Sequence, residues 1–112
     1  MRGPTMANTK TLYTTPGTIT VSAYDIDDQA NIWIGTNKVW GDGTHPITRN
    51  VTIAAGQEIQ IRFETYNMTG GRFHTDFAIS SAGGILYNTS ADGTTLPGNN
   101  IVFSETVVVI GR

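Results

Sequence analysis

The chain has 112 residues, seven Lys and Arg against nine Asp and Glu, a formal net charge of −2 and no cysteine. That length suits a single domain, the missing thiols exclude cysteine nucleophiles and thiolate metal sites, and the slightly acidic balance excludes the clustered basic surface that neutralises nucleic-acid phosphates. No apolar run approaches the ~20 residues of a membrane-spanning helix, so membrane insertion is not expected; the stretch from Met1 to Met6 lacks the apolar middle of a signal peptide, and a protein acting outside the cell, at a cell surface or in a virion is expected all the same; Met6 is an alternative start. The composition is rich in Thr, Asn, Ile, Val and Gly and poor in helix formers, which points to an all-β fold.

Residues 1–11 read as a flexible tail, and residues 12–112 as one domain. From Thr18 to Tyr24, Ile19, Val21 and Ala23 alternate with Thr20, Ser22 and Tyr24, the period of a half-buried strand. Asp25 to Gln29 breaks the pattern with turn formers. Ile32-Trp33-Ile34 and Lys38-Val39-Trp40 then flank Gly35-Thr36-Asn37, two short strands joined by a tight turn. The loop Gly41 to Pro46 follows, then a short strand from Asn50 to Ile53.

The clearest strand places Ile59, Ile61 and Phe63 inward and Glu58, Gln60, Arg62 and Glu64 outward. After the Asn67 to Gly71 turn come strands at Phe73 to Ser80 and Gly84 to Asn88, a long loop from Thr89 to Asn100, and a last strand with apolar residues on both faces. About eight short strands separated by Gly, Asn and Asp turns predict a two-sheet antiparallel sandwich.

Asp27-Asp28, the segment Ile32 to Val39, the segment Val51 to Ile61 and Asn67 together carry a likeness. In these residues the stretch from Ala23 to Asp92 resembles the galactose-binding-domain-like jelly roll of many carbohydrate-binding modules. The segment Asp92-Gly93-Thr94-Thr95-Leu96-Pro97-Gly98-Asn99-Asn100 is similar to the calcium loop of the small soluble galactose lectins of bacteria. That resemblance implies Asp92, Asn99 and Asn100 as calcium ligands, with Thr95 standing one position earlier than the family's threonine. It also implies a role for these residues in holding a sugar.

The residues themselves offer a second candidate. An aromatic ring packs on the apolar face of a sugar while carboxylate and amide groups bind the neighbouring hydroxyls, and Trp40, Asp42 and His45 supply both halves. Trp40 at a strand end either does this or closes the core, and Trp33 is expected in the core. Asn67 is a further candidate contact, and His74 and Asp76 alternate on one face as a hydrogen-bonded pair would. Neither a Gly-x-Ser-x-Gly elbow nor a paired-histidine metal motif is present, so no enzyme is expected.

The function expected is therefore non-enzymatic glycan binding through loops at one end of a sandwich, with calcium as the implied cofactor. Weak single sites act through several copies, so a homo-oligomer is expected. The alternative is a structural or decoration subunit of a virion or another surface assembly. Packing of the strand from Ile101 to Ile110 on another chain would favour assembly; closure of the chain's own core would favour the lectin.

Overall fold

The period-two alternation of the sequence is realised in nine strands among the residues that the computed structural model describes, 8–67, 70–95 and 100–112. They are β1 (Asn8–Thr14), β2 (Gly17–Asp27), β3 (Gln29–Ile34), β4 (Asn37–Asp42), β5 (Ile47–Ile53), β6 (Glu58–Asn67), β7 (Gly71–Ser81), β8 (Gly84–Thr95) and β9 (Asn100–Gly111). One sheet has the order β1-β9-β6-β3-β4 and the other β5-β2-β7-β8. The chain is thus an all-β, two-sheet sandwich.

Two features depart from expectation. β1 takes in residues 8–11, placed in the tail from sequence, and it pairs with β9 in parallel, Leu12 opposite Val109. Leu12 packs on the core from this edge position, which anchors the segment. Also, the loop expected from Thr89 to Asn100 is strand as far as Thr95, because β8 pairs with β7 down to Gly71. Asp92-Gly93 looks like a turn in sequence, but Gly93 answers a packing demand: a Cβ there would stand 2.8 Å from the Phe73 ring.

The core lies between the sheets. Phe63 of β6 stacks on Phe77 of β7 with centroids 4.6 Å apart, and Phe77 stacks on Phe103 of β9 at 5.9 Å. Ile19, Val21, Ile32, Ile61, Val107 and Val109 are fully or almost fully buried around them; each such side chain contributes roughly 1.5–3 kcal/mol. β9 lies within its sheet, between β1 and β6, and closes the chain's own core. A carboxylate enters this core as well. Glu105, opposite Phe63 on β9, is buried and accepts a hydrogen bond from the Tyr87 hydroxyl of β8. Burial, and then Glu105, push the Tyr87 hydroxyl far above the ordinary phenol range.

The pairings also set the ends of the sandwich. β2, β4, β6 and β8 run one way, while β3, β5, β7 and β9 run the other. β2 passes to β3 through Asp28 alone, so the far ends of the first group and the near ends of the second share one edge. That edge carries the turns at Asp28 and at Asp42 to Pro46, the end of β6 at Asn67 and the start of β7 at Gly71, with Asp92 three residues short of it on β8.

Candidate functional site

Trp40, Asp42 and His45 come together at this edge. On β4, Val39 and Gly41 face inward opposite Ile32 and Ala30, so Lys38, Trp40 and Asp42 face outward. Trp40 is consequently 57% exposed, which resolves its two sequence alternatives in favour of the surface. The turn beyond it is closed by reciprocal backbone hydrogen bonds, Asp42 N to His45 O at 3.1 Å and His45 N to Asp42 O at 3.0 Å. Asp42 Oδ1 accepts from the Thr44 amide and the Thr44 hydroxyl, both at 2.9 Å, and lies 3.0 Å from His45 Nδ1. The Thr44 amide foremost, then His45 and the Thr44 hydroxyl, lower the Asp42 pKa to about 2. The carboxylate stays charged and acceptor-only at neutral pH. The His45 ring is 6.3 Å from Trp40, tilted by 57°.

A polar network that single-sequence reasoning missed extends from this corner over the outer face of the five-stranded sheet. Asn31 on β3 lies between Trp40 and Glu64 of β6, and Trp33 lies between Lys38 and Arg62. Trp33 is therefore outward and half-buried, not in the core as expected, because its neighbours Ile32 and Ile34 take the inward positions. Its Nε1–H donates to Glu64 Oε1 at 2.9 Å. Gln29 donates to Asn31 Oδ1 at 3.1 Å, and Arg62 Nε lies 3.0 Å from Glu64 Oε2. Asn31 and Glu64 are buried beneath these side chains although they are on the outer face.

Asn67 is not available as a sugar contact. It is fully buried, its Nδ2 donates to the Gly71 carbonyl at 3.0 Å, and its Oδ1 accepts from the Gly70 amide at 3.1 Å. Its amide is engaged in the β6–β7 turn, the use that Asn serves in many turns.

Asp92 stands apart from Trp40, on the outer face of the four-stranded sheet. Its Oδ1 is 3.7 Å from His74 Nδ1 and 3.9 Å from Arg72 Nη2. A calcium ion gathers six to eight oxygen ligands, and of the four residues implied as ligands only Asp92 has its side chain among those described. Asn99 lies outside the described residues, as do the side chains of Thr95 and Asn100. Among the described residues no three His, Asp or Glu side chains are grouped to hold a metal ion.

His74 and Asp76 do form the expected pair, Nε2 to Oδ2 at 3.2 Å, and Ser90 donates to the other oxygen of Asp76. The hydrogen bond with Asp76 raises the His74 pKa, while Ser90 foremost lowers that of Asp76. His74 thus stabilises the fold fully below its ordinary value of 6.5, and this contribution is lost as pH rises through its raised value. Asp76 stabilises above its ordinary value of 3.8, and that contribution is lost as pH falls through its lowered value. The pair therefore holds best between those two ordinary values. Melting curves from pH 5 to 9 should show an alkaline decline in Tm that His74→Gln removes; an undiminished decline in the variant would place its origin elsewhere.

Comparison with protein-family models, with curated proteins and with solved structures gives no match. The functional reading therefore rests on the residues themselves.

Proposed function

We propose that the protein is a non-enzymatic glycan-binding sandwich whose sugar platform is Trp40, with Asp42 and His45 beside it. The observation that carries this reading is the exposure of a large indole next to a carboxylate held ionised by its own turn. A hexose presents apolar C–H groups on one face and hydroxyls at its rim, and this corner offers a ring for the first and an acceptor for the second. The burial of β9 in the chain's own core favours a self-sufficient binding module. Such a shallow site is weak alone, so display in several copies would supply avidity.

A role as subunit of a surface assembly remains the second reading. It is favoured by Ile85, 68% exposed on β8, an edge strand among the described residues, since a strand edge with an apolar side chain is suited to contact with another chain. The two readings are compatible, as an assembly can display a sugar-binding face.

The test is a glycan array followed by titration of the best neutral ligand against the parent and Trp40→Ala. The variant should bind at least about tenfold more weakly, a modest figure for an anchoring aromatic, with Tm unchanged because the ring is largely in solvent. A silent array for the parent, or unaltered affinity in the variant, overturns the reading; a silent array with a large mass in solution supports assembly instead.

A further inference from the structure

We propose that the outer face of the five-stranded sheet carries a second subsite, adjoining Trp40, that takes the carboxylate of an acidic sugar residue on Lys38 and Arg62. This rests on the reading of Trp40 as a glycan platform and names the class of glycan: one containing a uronic or sialic acid.

The chain has only seven Lys and Arg, yet two of them converge on one indole. Lys38 Nζ is 5.6 Å and the Arg62 guanidinium carbon 4.9 Å from the Trp33 ring centroid. Both positions follow from register, since Lys38 and Arg62 are the direct partners of Trp33 on either side. Contact with the ring face holds the cations over the sheet, and Glu64 Oε2 lies within ion-pair distance of Arg62 Nε, at 3.0 Å. The guanidinium has five donors in a rigid fork, so an ion pair made through Nε is compatible with a further carboxylate on the fork's outer side. The Arg62 side chain is 38% exposed, accessible to a ligand from solvent.

Lys38 has no ion-pair partner among the described residues. Glu64, the nearest carboxylate to this group, already accepts from Trp33 and faces Arg62. The patch therefore sets two cations against one carboxylate, an excess of one positive charge, on a protein of net negative charge. Along β4, Lys38, Trp40 and Asp42 follow one another on the same face at about 6.6 Å intervals. This arrangement sets a polarity for the ligand: hydroxyls toward Asp42, a ring over Trp40 and the acid toward Lys38. Two cations are too few for a nucleic-acid track, which recruits many phosphates at once.

The experiment uses the full chain and matched ligand pairs, oligogalacturonate against the same oligomer fully methyl-esterified, and sialyllactose against lactose. The acidic member of a pair should bind about tenfold more tightly at low salt, as for hydrogen bonds to charged groups, and this margin should shrink in 1 M salt. Lys38→Gln should bring the acidic-to-neutral ratio close to one, and Lys38→Glu should invert it; Lys38 is exposed, so folding is not at stake. Equal binding of both members by the parent, or a ratio untouched by either Lys38 variant, overturns this subsite while leaving the Trp40 reading intact. Binding of neither member overturns both. Tighter binding of a single-stranded oligonucleotide than of any acidic glycan also overturns it.

Discussion

Tyr87→Phe is expected to lower stability by about 2–3 kcal/mol, because it removes the hydroxyl that satisfies a buried carboxylate and leaves that charge in the core. For a domain of this size the loss corresponds to a fall in Tm of about 10 °C. Glu105 sits opposite Phe63, among side chains that exclude water, and Tyr87 itself lies over the Phe63 ring, parallel within 3° at 6.5 Å. The phenylalanine ring would keep that stacking, so the loss isolates the hydrogen bond. Adding Glu105→Met should reverse the sign. With both polar groups gone and volume nearly conserved, the double variant is expected within about 1 kcal/mol of the parent or above it, as replacements of buried polar pairs by apolar ones often are. Chemical denaturation of the parent, both single variants and the double variant measures the coupling directly. A Tyr87→Phe protein as stable as the parent would mean that water reaches Glu105 in place of the hydroxyl.

How far this site and fold could be read from sequence follows from how local each interaction is. β6 was legible because Ile59, Ile61 and Phe63 alternate with four polar residues, and that pattern has one solution on a half-buried sheet. The corner of Trp40, Asp42 and His45 was legible because six consecutive residues contain it. The network of Asn31, Glu64, Trp33 and Arg62 was not, since it exists only once β3 is set beside β6 in one register, and a shift by one residue would send Trp33 inward. Asn67 shows a different failure: asparagine serves equally as ligand and as turn former, and only the Gly70 and Gly71 contacts decide between them. Asp92 misled for a related reason. Asp-Gly is a strong turn signal, but here the glycine makes room for Phe73 and the aspartate sits in a strand. The parallel pairing of β1 with β9 joins opposite ends of the chain, which no local pattern reports.

Gly41→Ala should damage fold and site together. Gly41 faces the core opposite Ala30, and a Cβ on it would lie 2.3 Å from the His45 carbonyl oxygen and 2.8 Å from Ile47 Cγ1. Ile47 is buried at the start of β5, so it cannot retreat without opening the core. The His45 carbonyl is equally constrained, because it accepts the Asp42 amide that closes the turn. Relief must therefore move the Asp42 to His45 turn, at a cost of about 3 kcal/mol, the upper end of ordinary overpacking. Displacement of Asp42 from beside Trp40 should weaken glycan binding by at least about tenfold, which corresponds to ~1.4 kcal/mol, even at temperatures where circular dichroism shows the variant fully folded. Gly43→Ala separates crowding from mere substitution in the same turn: its Cβ would meet a single atom within contact distance, the Ile26 carbonyl oxygen at 3.1 Å, and a change of a few tenths of an ångström accommodates it. Binding should therefore fall steeply for Gly41→Ala and little for Gly43→Ala. A folded Gly41→Ala protein that binds glycan as the parent does would remove the turn from the site and leave Trp40 to act without Asp42.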